Sequence, residues 1–301
     1  MFAIKKEVSF IKHRKIFYIV SLVLIIVGIG TGLVRGFNYG IDFTGGTRIQ
    51  FNMGREVSIE DVEAVLKENK IQAEVQHAGE NNDQVVLKTV QALDNDARTK
   101  FYDDMFSTFN LDKSSVVSAQ LIGPSVGDLL KKNAVKAVLI ATVCMLIYII
   151  IRFEWKFSVA SIVALVHDVL MLFAFYGLFH VTINNPFIAG MLTVVGYSIN
   201  DTIVIFDRIR ENLKFMKKNN QLEELIDKSI NQTIVRSLMT SVTTILVIIP
   251  LYIICGDTIR EFALPLIVGI TAGAYSSITI ASPLYYDLTK LTEQKSKYKG
   301  K

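Results

Sequence analysis

Two carboxylates and one guanidinium stand in stretches otherwise suited to hydrocarbon: Asp168 within Val166-His167-Asp168-Val169, Asp201 within Ser198-Ile199-Asn200-Asp201-Thr202, and Arg236 at the start of an apolar run. A charged side chain at the centre of a bilayer costs about 2.5 kcal/mol or more on insertion scales, so such residues face protein or water and often mark ion paths. Arginine stays protonated at any relevant pH, so its approach favours the ionised form of a carboxylate, and separation in an apolar setting favours the neutral form. Moving Asp201 and Arg236 together and apart would therefore release and load a proton. Asn200 and Thr240 belong to the same candidate ion pathway. The helical stripe through Asp201 holds Tyr197, Val194 and Gly190; that through Arg236 holds Thr240, Thr243 and Thr244, with Ser198 and Ser241 nearby. These hydroxyls suit either close helix packing or a wet ion path. Asp168, next to His167, suits either an ion path or a static polar network.

Other chemistries lack their residues. The chain has no phosphate-binding Gly-x-x-x-x-Gly-Lys, no His-Glu-x-x-His and no Gly-x-Ser-x-Gly, so nucleotide, zinc-dependent and serine hydrolysis find no support. An aspartyl intramembrane protease would pair two carboxylates, but Asp201 follows Ser-Ile-Asn rather than Gly-x-Gly. The two cysteines, Cys144 and Cys255, have no metal-binding spacing, and no nucleic-acid module is present. The expectation is a protein without catalytic residues, cofactor or metal.

The elements that must position these groups are membrane helices. Hydrophobic residues make up 51% of the 301 positions and charged ones 20%, with a mean hydropathy of +0.39; that is too apolar for an ordinary soluble domain of this size. Residues 16–34 follow a basic leader (1–15) and carry no small-residue cleavage site. At about 1.5 Å per residue they reach roughly 28 Å, nearly the thickness of the hydrocarbon core, which predicts an uncleaved first span. Further spans are expected at 134–151, 157–179, 187–206, 237–254 and 262–284. Lys136, in the first turn of the second, can snorkel to the interface.

Residues 35–133 change pattern. Alternation over 47–53, 73–78, 84–90 and 114–122 predicts strands, the middle two joined by a loop over 79–83. Helices are expected after Ser58, with Val62, Val65 and Leu66 on one face, and from Asp94, with Ala97, Phe101, Met105 and Phe109 in phase. The order β-α-β-β-α-β predicts an α+β ferredoxin-like sandwich. Segment 207–236 is an amphipathic connector and 285–301 a basic tail. With the N-terminus cytoplasmic, the leader, Arg152, Lys156, Arg208, Arg210, Lys214, Lys217, Lys218, Lys228 and the tail all fall inside; the opposite short loops, 180–186 and 256–261, contain only Arg260. The positive-inside rule then puts both termini in the cytoplasm and the α+β domain outside it.

Three stretches resemble the SecD/SecF family of protein-translocase subunits, in the resistance-nodulation-division (RND) superfamily. They are Phe37-Asn38-Tyr39-Gly40-Ile41-Asp42-Phe43-Thr44-Gly45-Gly46, Gly123-Pro124-Ser125-Val126-Gly127, and residues 198–212, the most specific of the three. The resemblance covers essentially the whole chain and adds expectations that residue patterns do not supply. It implies a bacterial inner-membrane protein that pairs with a SecD-like six-span subunit into a twelve-span complex beside the SecYEG channel. In that setting, amid membrane lipid, it would use the proton motive force to promote translocation of a preprotein. Asp201 matches the family's membrane-embedded carboxylate and Arg236 its partner; Gln232 departs from the pattern, standing where an arginine is often found. Gly40, Asp42, Gly45 and Gly46 read as a structural turn motif, with Asp42 a cap or turn acceptor. Proton and sodium coupling both remain open. So do two other readings, an RND-type exporter of lipid or small molecules and a non-transporting scaffold.

Overall fold

The computed structural model describes residues 8–79, 81–91, 93–216 and 221–299; Lys5, Lys6, Lys217, Lys218 and Lys301, and Glu80 of the expected hairpin loop, lie outside them. Helices in chain order are α1 (Phe10–Arg35), α2 (Ile41–Thr44), α3 (Ile59–Glu68), α4 (Asn95–Phe109), α5 (Pro124–Arg152), α6 (Trp155–Phe179), α7 (Asn185–Leu213), α8 (Leu222–Ile254), α9 (Asp257–Ser276) and α10 (Ser282–Lys299). A π-helical segment, Ser277–Ala281, joins the last two. Strands β1 (Gly46–Asn52), β2 (Glu74–Ala78), β3 (Gln84–Thr89) and β4 (Val116–Ile122) form an antiparallel sheet in the order β2-β3-β1-β4.

Alternation along β1 and β3 decides where the domain core lies. Ile49 pairs with Leu87 and Phe51 with Val85, and these face α3 and α4, where Phe51, Val62, Val85, Phe101 and Met105 are wholly buried. The intervening residues Arg48, Gln50, Val86 and Lys88 line the sheet's other face. Ser58 caps α3 by accepting from Glu60 N at 3.2 Å, and Asp94 caps α4 by accepting from Ala97 N at 2.8 Å. Asn110, in the left-handed region at φ 57°, ends α4. The expected sandwich is present.

Among the described residues six helices are long and apolar enough to cross a membrane: Phe10–Arg35, Ser125–Arg152, Trp155–Phe179, Asn185–Leu213, Leu222–Ile254 and Thr258–Glu293. Protein covers 72% of the last apolar window and 44% of that in Asn185–Leu213, but only 6% in Ser125–Arg152 and 17% in Phe10–Arg35 and Leu222–Ile254. The last span is therefore the bundle's centre, with α6 and α7 against it. Several helices outrun the apolar stretches that predict them. Helix α5 begins at Pro124, where proline suits the first turn, and α8 carries the amphipathic segment and the fifth span in one piece. Hydropathy marks the apolar part of a helix, whereas capping groups set its ends.

Candidate functional site

Helix α7 carries Asp201, and Asn184 caps its start. The Asn184 side chain accepts from Phe187 N at 3.0 Å, with Pro186 in the first turn. Small residues then let α9 approach: a Cβ on Gly269 would meet Val194, and one on Gly273 would meet Ser198. This contact orients α7 so that Asp201 points toward α8. Its carboxylate is 2% exposed and accepts from Ser241 Oγ at 3.2 Å and Thr240 Oγ1 at 3.5 Å. One turn away, Tyr197 Oη donates to Thr240 O at 3.0 Å and shares a hydrogen bond with Thr244 Oγ1 at 2.9 Å.

The polar seam continues along the same stripe. Arg208 Nε donates to Gln232 Oε1 at 2.7 Å, and Asn212 Nδ2 donates to Ser229 Oγ at 2.8 Å and to the same Gln232 oxygen at 3.1 Å. Gln232 is thus an acceptor facing Arg208, and an arginine there would oppose like charge. Arg236 lies one turn before Thr240 on α8, on the exposed surface. Among the described residues no ion pair joins it to Asp201. Asn200 is also exposed, away from this seam.

Asp168 occupies a second buried cluster on the adjoining face of α7. At 1% exposed, it accepts from Ser198 Oγ at 2.5 Å and Ser276 Oγ at 2.9 Å, and His167 Nδ1 lies 3.0 Å from it. Among the described residues His167 Nε2 is buried without a hydrogen-bond partner, and its ring stacks on Tyr275 at 6.1 Å. Thr202 and Ser277 share a 2.8 Å hydrogen bond across the π-helical segment. Such segments interrupt regular pairing and recur at functional sites. Ser198 and Asp201 are three residues apart, so one helical turn presents both clusters. Among the described residues no group of three or more His, Cys, Asp or Glu could hold a metal.

The glycine motif sits at the far end of α7. Asp42 Oδ2 accepts from Asn185 N at 2.9 Å. Gly40 N donates to Ile183 O at 2.8 Å and Ile183 N to Asn38 O at 2.7 Å, forming a short parallel bridge. Gly45 has φ 77°; Gly46 has φ 148°, and a Cβ there would stand 2.1 Å from Thr89 O, so glycine is required where the motif turns into β1.

Sequence reasoning missed three contacts. Ser276 and Tyr275 complete the Asp168 cluster, and only the hydroxyl content of the last span hinted at them. Helix α1 docks on α6 where Gly28 and Gly32 meet Ala174 and Gly177; the Gly28-x-x-x-Gly32 spacing could have revealed it. The ion pair of Lys88 with Glu261, between sheet and α9, had no local signal.

Residues 102–291 match the family model of the protein export membrane protein SecD/SecF, C-terminal, and residues 32–55 match the SecD/SecF GG motif. Protein translocase subunit SecF of Sebaldella termitidis is 38% identical over 294 residues, covering 94% of this chain and 92% of that protein. The SecF of Haemophilus influenzae is 38% identical over 283 residues, covering 93% and 86% respectively. The crystal structure of SecDF, a translocon-associated membrane protein from Thermus thermophilus, superposes with a TM-score of 0.83 at 36% identity, over 96% of this chain and 40% of that longer one.

Proposed function

Since the chain belongs to the SecD/SecF family of protein export membrane proteins, we propose that it is an ion-coupled accessory subunit of the Sec export machinery. It works with a SecD-like six-span subunit beside the SecYEG channel and promotes movement of a preprotein on the far side of a bacterial inner membrane. Both termini are cytoplasmic and the α+β domain lies outside the cytoplasm. The coupled ion is a proton, and Asp201 is the group that takes it up.

One observation carries this reading: Asp201 is buried in a spanning helix against two hydroxyls, while Arg236 stands only one turn from Thr240 on the helix that supplies them. Four residues of α-helix rise about 6 Å, a distance the arginine side chain and a small slide of α8 can cover together. In this scheme Arg236 near Asp201 corresponds to the ionised carboxylate, and Arg236 withdrawn to the protonated one. Asp168 and its serines form the second polar station on the adjoining face of α7, and Thr240 flanks the path. Membrane lipid bounds the exposed faces of α5 and α8.

The gradient is adequate to drive such a switch. One charge crossing 100 mV is worth about 2.3 kcal/mol, which biases a two-state equilibrium by roughly 50-fold. The test is Asp201→Asn in proteoliposomes containing the chain, its partner subunit and the channel. A carboxamide oxygen still accepts from Ser241, so folding is retained, whereas gradient-dependent late-stage export is lost. Undiminished export under an imposed proton gradient refutes the proposal; dependence on a sodium gradient alone would reassign the ion.

A further inference from the structure

The N-terminus of α7 is satisfied by a residue from outside its own sequence neighbourhood. Phe187 N is capped by the Asn184 side chain, Ile188 N donates to Asn184 O at 3.2 Å, and Pro186 has no N–H. The remaining first-turn donor, Asn185 N, reaches Asp42 Oδ2 at 2.9 Å, 143 residues away in sequence. A carboxylate at this end also complements the helix dipole. Asp42 is four residues before Gly46, the first residue of β1, so a very short covalent path joins this cap to the sheet.

Neighbouring contacts brace the same point. The Asn38–Gly40 strand bridges to Ile183 by two backbone hydrogen bonds, and Asn38 Nδ2 donates to Thr182 Oγ1 at 2.9 Å. On the other side, a Cβ on Gly127 of α5 would stand 3.1 Å from Gly45 N and Phe43 O, so α5 begins in close contact with the same turn. Beside the same turn a cavity of about 200 Å³ lies between the sheet and the bundle, lined by Arg48, Lys88 and Gln120 on one side, by Asn184 and Glu261 on the other, and by Asp42 of the motif itself. The Lys88–Glu261 ion pair spans it. The glycine motif is therefore the closely packed connection, and the Lys88–Glu261 ion pair is a second tie across the gap beside it.

We propose that Asp42 is a positioning residue that fastens the α+β domain to the N-terminus of α7, so that a displacement of α7 at Asp201 is delivered to the domain. Sixteen residues separate Asn185 from Asp201, about 24 Å of continuous helix, a rigid rod on this scale. This rests on the reading of Asp201 given above.

The experiment measures whether a change at Asp201 reaches the domain. The full chain, with Cys144→Ser and Cys255→Ser, carries spin labels at Glu63→Cys on α3 and Ile259→Cys on α9. It is reconstituted with its six-span partner in phosphatidylethanolamine and phosphatidylglycerol vesicles, and label distances are read by pulsed electron paramagnetic resonance. Asp201→Asn shifts the distance distribution in the parent. The shift persists with Asp42→Asn, whose carboxamide oxygen can still accept the Asn185 N–H. It falls by at least half with Asp42→Ala, and equally with Asn185→Pro, which deletes the N–H at a position where proline suits a helix. A parental shift in both of the last two variants overturns the role of Asp42 and leaves the reading of Asp201 intact. Absence of any shift on Asp201→Asn in the parent overturns both.

Discussion

Gly269→Ala probes the contact that aims α7. A Cβ at position 269 would lie 2.3 Å from Val194 Cγ2, 2.5 Å from Cγ1 and 2.9 Å from Cβ. Carbon atoms rest at about 3.5 Å or more, so α7 and α9 must part by roughly 1.2 Å. That stretches the Thr202–Ser277 hydrogen bond from 2.8 Å to about 4 Å, beyond useful range. Asp168 could no longer hold both Ser198 on α7 and Ser276 on α9, which it now accepts at 2.5 and 2.9 Å. Two interhelical hydrogen bonds at about 0.6 kcal/mol each in a membrane protein, added to overpacking of about 1–3 kcal/mol, predict a loss of about 2–4 kcal/mol. The assay is SDS-driven unfolding in mixed micelles followed by far-ultraviolet circular dichroism. Adding Val194→Ala removes the two closest contacts, at 2.3 and 2.5 Å, so the double variant recovers part of the loss. A loss below about 0.5 kcal/mol, or no recovery, would refute the view that this contact sets the spacing of α7 and α9.

Phe101→Ala, at a wholly buried position of the α+β core, is expected to cost about 3–5 kcal/mol, read as lost amide-exchange protection confined to that domain. Ser58→Ala and Asp94→Ala each remove a cap and should cost about 1 kcal/mol, with exchange quickening first in the capped helix. The Asp112 carboxyl is held below its usual range, chiefly by the Ser114 hydroxyl, as Glu60 is by Ser58. A depressed folded pKa gives stability that is present above the unfolded value and lost as pH falls through the folded one. The domain should therefore weaken below about pH 4, and Ser114→Ala should flatten that dependence in a thermal-melt series. A double-mutant cycle on Lys88→Ala and Glu261→Ala should give a coupling of about 0.5–3 kcal/mol in unfolding experiments; zero coupling would remove the pair as a brace between sheet and bundle.

The periodicity of the sequence carried much of the architecture. Apolar runs announced the spans, and alternating strands bracketing two capped helices announced the sandwich, because burial and local capping are read within a few residues. Contacts set by helix rotation were less legible. Asp201 was visible as an anomaly, and its hydroxyl neighbours Thr240 and Ser241 were visible as a stripe, but the position of Arg236 depends on how far α8 is advanced along α7. A slide of one turn leaves the hydrophobic pattern of either helix unchanged. The tightest register came from glycines at 269 and 273, whose spacing says where a neighbour can approach and not which neighbour does.

By itself, then, the sequence determined the solvent of each segment, the element types and the residues too costly to leave unexplained in hydrocarbon. Tertiary structure alone decided that Asp168 is bound by serines from two other helices and that Asp201 faces hydroxyls while Arg236 stands a turn away. It also assigned Asp42 to a helix 143 residues downstream. The physical reason is range: hydropathy and capping act over a turn or two, whereas an unpaired donor or carboxylate accepts whichever partner the packed helices bring to it.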